Sequence, residues 1–326
     1  MGNNHILLLD PSIGTNNVGD EIIMECAQKE LEFLTQGRFV YRLPTHVSSF
    51  HWYQIWKNSL AVRNYAESEY KFVCGSNLLM KDMLTHYPQW NLNLWNCKPF
   101  QGSILLGVGA SAGDKTNLYT RKLYDKFLSK NYFHSVRDER SKEFMEQLGF
   151  KAINTGCVTM WKLTPDFCKS IPISKASRVV FTLTAASQPL ESDQHLIDIL
   201  QRNYKKVYFW VQGDKDMEYF GKFRNTGGII IVPPTKEAYH QILCEEDIEY
   251  VGTRLHAGVY AMRHSKRAVI IVIDERAREI NRSNNLICME RDAVATELEK
   301  LINSEFKTEI KMPREEINRW RAQFLG

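Results

Sequence analysis

The sequence predicts an α/β fold of two Rossmann-like domains facing a cleft, and three observations predict it. Short apolar runs alternate with helical patterns almost from end to end. Those runs do not alternate apolar with polar residues, which is the signature of strands covered on both faces of a parallel sheet. The rhythm then restarts after residue 165, so two strand–helix series follow one another.

The first series opens on a strand over 5–9, then a loop over 10–20 and a helix over 21–34. Strands follow at 72–74, 103–108 and 134–137, and Asp138 is placed to cap a helix ending at Gly149. The second series has strands over 179–183, 207–211 and 229–232, with a helix over 192–203. The stretch VGTRLHAGVYAMRHSKRAVIIVID (251–274) reads as a turn at Gly252 and Thr253, a helix over 255–263 and a buried strand over 268–273. Between the series, TPDFCKSIPISKAS (164–177) has two prolines and several polar residues, as a hinge requires. The expected organisation is an N-terminal domain over 1–168, a C-terminal domain over 169–305 and a terminal helix over 306–326. In KMPREEINRWRAQF (311–324), Ile317, Trp320 and Phe324 share one face. The mixed charge of the other face favours packing back on the first domain, so membrane association is at most peripheral.

At 44% hydrophobic residues, a chain of 326 residues can bury a sizeable core. Its 42 Lys+Arg against 38 Asp+Glu leave a net charge of only +4, with no like-charge block and no zinc-finger or RNP-type motif, which argues against nucleic acid. Seven scattered cysteines without Cys-x-x-Cys suit a reducing cytoplasm. MGNNHILLLD is too short in its apolar run for a signal peptide, and Gly2 is followed at position 6 by Ile rather than Ser or Thr. No run approaches the ~18 apolar residues of a membrane span. The histidines (5, 46, 51, 86, 134, 195, 240, 256, 264) are dispersed, so no metal site is expected. There is no G-x-S-x-G nucleophile elbow either.

In open α/β sheets, ligands bind outside the carboxyl ends of the strands, which makes four strand-to-helix turns informative. At 252–256, a helix start offers unpaired N–H groups and the positive end of a dipole to an anion. Thr253 lies in the turn, Arg254 adds a planar fork for phosphate or carboxylate, and His256 titrates near neutrality. Arg254 and His256 converge only if Arg254 still lies in the turn, because residues two apart on a helix diverge. PSIGTNNVGDE (11–21) matches neither a dinucleotide fingerprint nor a Walker A loop. It offers Asn16, Asn17, Gly19 and Asp20 to sugar hydroxyls, with Asp20 as a plain helix cap the alternative. CGSNLLM (74–80), with Gly75 and Asn77, and GVGASAGD (107–114) allow close backbone approach to a ligand. SVRDERS (135–141) sends Arg137 out of a strand end toward the cleft.

Taken in order, NNVGDEIIMECAQKEL (16–31), VCGSNLL (73–79), LLGVGAS (105–111), SVRDERSKEFMEQLG (135–149), WVQGDKDMEYF (210–220) and the 251–274 stretch resemble the polysaccharide pyruvyl transferase family. The most specific piece is Arg-Leu-His at 254–256. The chain departs from the family with Cys74-Gly75-Ser76 where a glycine triplet is frequent. It also has Thr182-Leu183-Thr184 where an arginine is common. The resemblance implies a fold similar to the two-domain glycosyltransferase B architecture. It further implies transfer of the enolpyruvyl unit of phosphoenolpyruvate onto a sugar or lipid-linked saccharide as a ketal, without a cofactor. In that reading Arg254 holds phosphate, His256 is the acid, Arg137 takes the donor carboxylate, and Asp20 is the base, with Asn16 and Asn17 on the acceptor. A glycosyltransferase using a nucleotide-sugar donor and a non-catalytic sugar-binding protein are the rival readings.

Overall fold

The computed structural model describes residues 4–84, 90–111 and 116–325, with backbone alone at 275 and 276. Gly2, His86 and the end of the third turn (112–114) lie outside the described residues. Among the described residues all strand pairs are parallel, and the chain divides into two compact units. Unit 1 comprises Met1–Thr15, Ile23–Val158 and Pro313–Gly326; unit 2 comprises Asn16–Ile22 and Thr159–Met312.

In unit 1, β1 (His5–Asp10), β2 (Phe39–Pro44), β3 (Tyr70–Cys74) and β4 (Ile104–Leu106) form a sheet in the order β2-β1-β3-β4. β5 (His134–Val136) pairs with β6 (Ala152–Asn154), and single bridges at Ser103↔Leu128 and Val108↔Val136 link this pair to the β4 side. The apolar runs explain the arrangement, since Leu7, Leu9, Val73, Leu105 and Val136 enter one fully buried cluster. The terminal helix Arg314–Ala322 packs on the same sheet. Ile317 and Trp320 are buried, and the Trp320 and Phe324 rings lie 5.9 and 5.4 Å from Phe72. Its apolar face is therefore occupied by protein.

Side chains complete the seam between β4 and β5. His134 Nδ1 accepts from the Leu105 N–H at 3.2 Å and Nε2 donates to the Ser129 carbonyl at 2.8 Å, while Ser135 Oγ accepts from the Gly107 N–H at 2.8 Å. Only a neutral imidazole can do this, and burial pushes the His134 pKa down to about 4. The unfolded chain therefore takes up a proton near pH 6.5 that the folded chain refuses. The stabilisation, complete above pH 6.5, is lost as pH falls toward 4, an effect of about 3 kcal/mol. Denaturant titrations at pH 7 and pH 4.5 should show this loss, and it should be absent from the difference between the same pH values in His134→Asn.

In unit 2, β7 (Arg178–Thr182), β8 (Lys206–Trp210), β9 (Ile230–Val232), β10 (Ile248–Gly252), β11 (Ala268–Val272) and β12 (Cys288–Glu290) form one sheet in the order β12-β11-β10-β7-β8-β9. Strand order thus reverses between β7 and β10, and a crevice at their carboxyl ends is where such sheets bind ligands. Val179, Phe181, Phe209, Val251 and Val269 supply its buried core.

The divisions differ from the expected 168/169 and 305/306. Segment 164–177 is not a bare hinge: Thr164 caps the helix Pro165–Cys168, and the Ser177 N–H donates to Asp247 at 3.0 Å. Residues up to 312 stay with unit 2 through Lys311, whose N–H donates to the Asn284 carbonyl at 3.0 Å. Asn16, Asn17, Gly19 and Asp20, expected in the first domain, belong to unit 2. Val18 donates its N–H to the Gln212 carbonyl at 2.9 Å, and Asp214 donates to the Asn16 carbonyl at 3.1 Å.

Candidate functional site

The carboxyl ends of β7, β8 and β10 place the candidate residues of unit 2. Strand β10 ends at Gly252, Thr253 follows, and Arg254 is the N-cap of the nine-residue helix Leu255–Arg263 with an extended backbone, φ −96° and ψ 107°. Arg254 thus lies in the turn, as convergence with His256 demands. Its own N–H is taken by Thr182 Oγ1 and the Tyr250 hydroxyl, each at 3.2 Å, and Tyr250 returns a bond to the Arg254 carbonyl at 2.9 Å. Burial holds the Tyr250 phenol well above its usual range, so it remains a donor.

The guanidinium is fixed on two sides. Nε donates to the Leu183 carbonyl at 3.2 Å, and Nη2 donates to both oxygens of Asp216 at 2.6 and 2.7 Å. That leaves Nη1 as the edge with no acceptor among the described residues. Asp216 is fully buried and is itself held by the Gly213 N–H at 2.7 Å and the Ala185 N–H at 3.3 Å. Gly213 permits this packing: a Cβ there would stand 2.5 Å from Arg254 Nη2. Arg254 was expected as a planar, charged fork for phosphate or carboxylate. Its charge is instead offset by a carboxylate, which trades net charge for a fixed orientation.

The start of the helix Leu255–Arg263 lies beside this guanidinium. The helices beginning at Glu139, Lys236 and Glu275 are capped by the side chains of Asp138, Thr235 and Asp274, whereas the N-cap residue of Leu255–Arg263, Arg254, makes no side-chain cap hydrogen bond. Its first-turn N–H groups have no acceptor within the helix. Thr253 Oγ1 lies 2.9 Å from Thr184 Oγ1 beside this end, and His256 is buried as the second helical residue.

The loop 16–20 joins the same unit. Asn17 and Gly213 form an antiparallel bridge, and Asn17 Oδ1 accepts from Gln212 Nε2 at 2.7 Å and from the Gly19 N–H at 3.0 Å. Asn17 Oδ1 is thereby engaged within the loop. Asp20, buried, is the second residue of the helix Gly19–Glu30 and not its cap. Gln212, unremarked in the sequence, buries its Oε1 without a hydrogen-bond donor among the described residues.

In unit 1, Arg137 leaves the end of β5 as expected, but it is buried rather than open. Nε donates to Asp138 at 3.1 Å and Nη2 donates to Asn77 Oδ1, so the arginine ties the 75–77 turn to a helix start. Gly75 holds φ +66° in that turn, and a Cβ would fall 2.3 Å from Ile23 Cγ2. Asp138 caps its helix by accepting from the Ser141 N–H at 2.7 Å. Among the described residues no group of three His, Cys, Asp or Glu could hold a metal ion, and no helix is long and apolar enough to cross a membrane.

A family model described as polysaccharide pyruvyl transferase matches residues 17–275 of this chain. No curated protein matches it. Among solved structures, the UDP-GlcNAc 2-epimerase of Methanocaldococcus jannaschii in complex with UDP-GlcNAc and UDP is similar, with a TM-score of 0.54 and 12% identity over 99% of both chains. The S. aureus MnaA–UDP structure is similar with a TM-score of 0.50 and 10% identity, over 92% of this chain and 88% of that one. At such identities the likeness shows the fold: two Rossmann-like α/β units of the glycosyltransferase B kind.

Proposed function

Because the chain belongs to the polysaccharide pyruvyl transferase family, we propose that it moves the enolpyruvyl unit of phosphoenolpyruvate onto sugar hydroxyls. The product is a pyruvate ketal in surface polysaccharide biosynthesis, made in the cytoplasm on a sugar or lipid-linked saccharide. The observation that supports this most is Arg254, turned onto Asp216 and Leu183 so that Nη1 faces outward at the start of the helix Leu255–Arg263, at the point where strand order reverses between β7 and β10. Backbone N–H groups and a guanidinium edge are suited to a phosphate ester.

The reaction then runs on residues of unit 2. Arg254 Nη1 and the first-turn N–H groups hold the phosphate, with Thr253 and Thr184 beside them. His256 protonates the methylene carbon of the enol phosphate, which makes the adjacent carbon electrophilic. An acceptor hydroxyl adds there and gives its proton to Asp20. Phosphate departs with its C–O bond electrons, and a second hydroxyl closes the ketal, giving its proton to the His256 imidazole that the first step left neutral. Asn16 contributes to sugar binding, and the buried Gln212 Oε1 is an acceptor for a sugar hydroxyl. No cofactor is invoked, because charge develops next to fixed donors.

Arg254→Lys tests the phosphate contact. An ammonium cannot reach Leu183 O and both Asp216 oxygens while offering a further N–H edge. Affinity for phosphoenolpyruvate should fall about 10- to 100-fold by calorimetry, the worth of one or two charge-assisted hydrogen bonds. Undiminished affinity would mean that the arginine makes no such contact.

A further inference from the structure

Folding does not account for the aromatic residues that follow β2. The connection over 45–59 contains the short helix Trp52–Trp56 and is anchored by Phe50, whose ring lies 5.6 Å from Tyr65 and 6.0 Å from Phe100. Trp52 and Trp56, one turn apart on one side of that helix, are 77% and 76% exposed, and Leu60 is 66% exposed. Indoles recruited for packing bury large areas; these two project from the surface.

The charged side chains of this stretch have one sign, up to the exposed Glu67 at the end of the helix Leu60–Ala66. From residue 33 through residue 66 there is no Asp or Glu, while Arg38, Arg42, Lys57 and Arg63 fall in the same window. Arg38 and Arg42 are engaged by Glu69 and Asp10. Lys57 and Arg63 are exposed, and the exposed Lys98 adds a third cation to the patch by donating to Asn58 Oδ1 at 3.3 Å.

We infer that this patch of unit 1 docks on an anionic lipid bilayer, with Trp52, Trp56 and Leu60 entering the interface and Lys57, Arg63 and Lys98 against lipid phosphates. Indoles settle at the headgroup level of membranes, and basic residues beside them are drawn to anionic lipid. Two other occupants fit less well. A stacking platform for a saccharide needs ring faces accompanied by acceptor groups, and the side-chain oxygens of Gln54 and Asn58 beside the indoles already accept from the His51 N–H and Lys98. A second copy meeting this patch about a two-fold axis would set like charge against like charge. The inference does not depend on the identity of the donor.

Co-sedimentation of the full chain with vesicles tests it. Vesicles of equal parts phosphatidylcholine and phosphatidylglycerol should bind at least about tenfold more tightly than phosphatidylcholine alone, and added salt should weaken that binding. Trp52→Ala/Trp56→Ala should weaken it at least about tenfold. Its circular dichroism and melting temperature should stay unchanged, because both side chains are exposed. Lys57→Gln/Arg63→Gln should reduce the preference for phosphatidylglycerol. Absence of binding to either vesicle, or binding indifferent to the tryptophans, would overturn the inference. So would a concentration-dependent dimer, or binding of a soluble oligosaccharide without vesicles, that the tryptophan substitutions abolish.

Discussion

Asp216→Ala is expected to destabilise unit 2 by about 3–5 kcal/mol, the cost of removing one partner from a buried ion pair. The carboxylate accepts from Arg254 Nη2, from the Gly213 N–H and from the Ala185 N–H, and none of its surface is exposed. Its loss leaves two buried N–H groups without acceptors and a guanidinium held only through Nε at the Leu183 carbonyl. The Arg254 side chain retains 18% exposure, so partial hydration places the effect toward the lower end. Asp216→Asn keeps the shape and can still accept one of these bonds, so it should lose less stability while donor affinity falls as in Arg254→Lys. Denaturant midpoints on the three proteins check the order. A change within about 0.5 kcal/mol, the usual range for surface sites, would show that Asp216 does not hold the arginine.

His256→Gln is expected to lower turnover by about 10²-fold or more, the usual scale for losing a positioned proton donor. Gln fills similar space and can hydrogen-bond at a helix start, so the fold and donor affinity should survive. If His256 only contacts phosphate, affinity should fall and the rate at saturating donor should recover. If it is a packed side chain alone, the melting temperature should drop with little specific effect on rate. Phosphate release at saturating donor and acceptor, donor affinity and melting temperature together distinguish the three. A stable and fully active Gln variant would refute the acid role.

The interior strands were legible because runs such as ILLL (6–9) and AVIIV (268–272) stay apolar at every position, as burial on both sheet faces requires. β2, β6 and β12 were not legible. FVYRLP in β2 is an edge strand with no fully buried residue, β12 is a three-residue edge, and AIN in β6 is too short to show a period. At the site, Arg254 was visible from its place between an apolar strand and a small-residue helix. Asp216 was not, since its pairing with Arg254 spans 38 residues and is made only when β8 and β10 flank β7. The loop 16–20 was misplaced for a related reason. Its partners, Gln212 to Asp214, are almost two hundred residues away in sequence, a separation that local pattern cannot report.

The most direct test of the donor is a thermal-shift titration of the full chain with phosphoenolpyruvate, run beside UDP- and GDP-sugars and with Arg254→Lys as the control. Phosphoenolpyruvate should raise the midpoint progressively, corresponding to about 2.7 kcal/mol at a hundredfold excess over its dissociation constant. Arg254→Lys should require a proportionally higher concentration for the same rise, and the nucleotide-sugars should leave the midpoint unmoved. A rise with a nucleotide-sugar and none with phosphoenolpyruvate would contradict the pyruvyl-transfer reading and assign the helix start at Leu255 to a diphosphate instead.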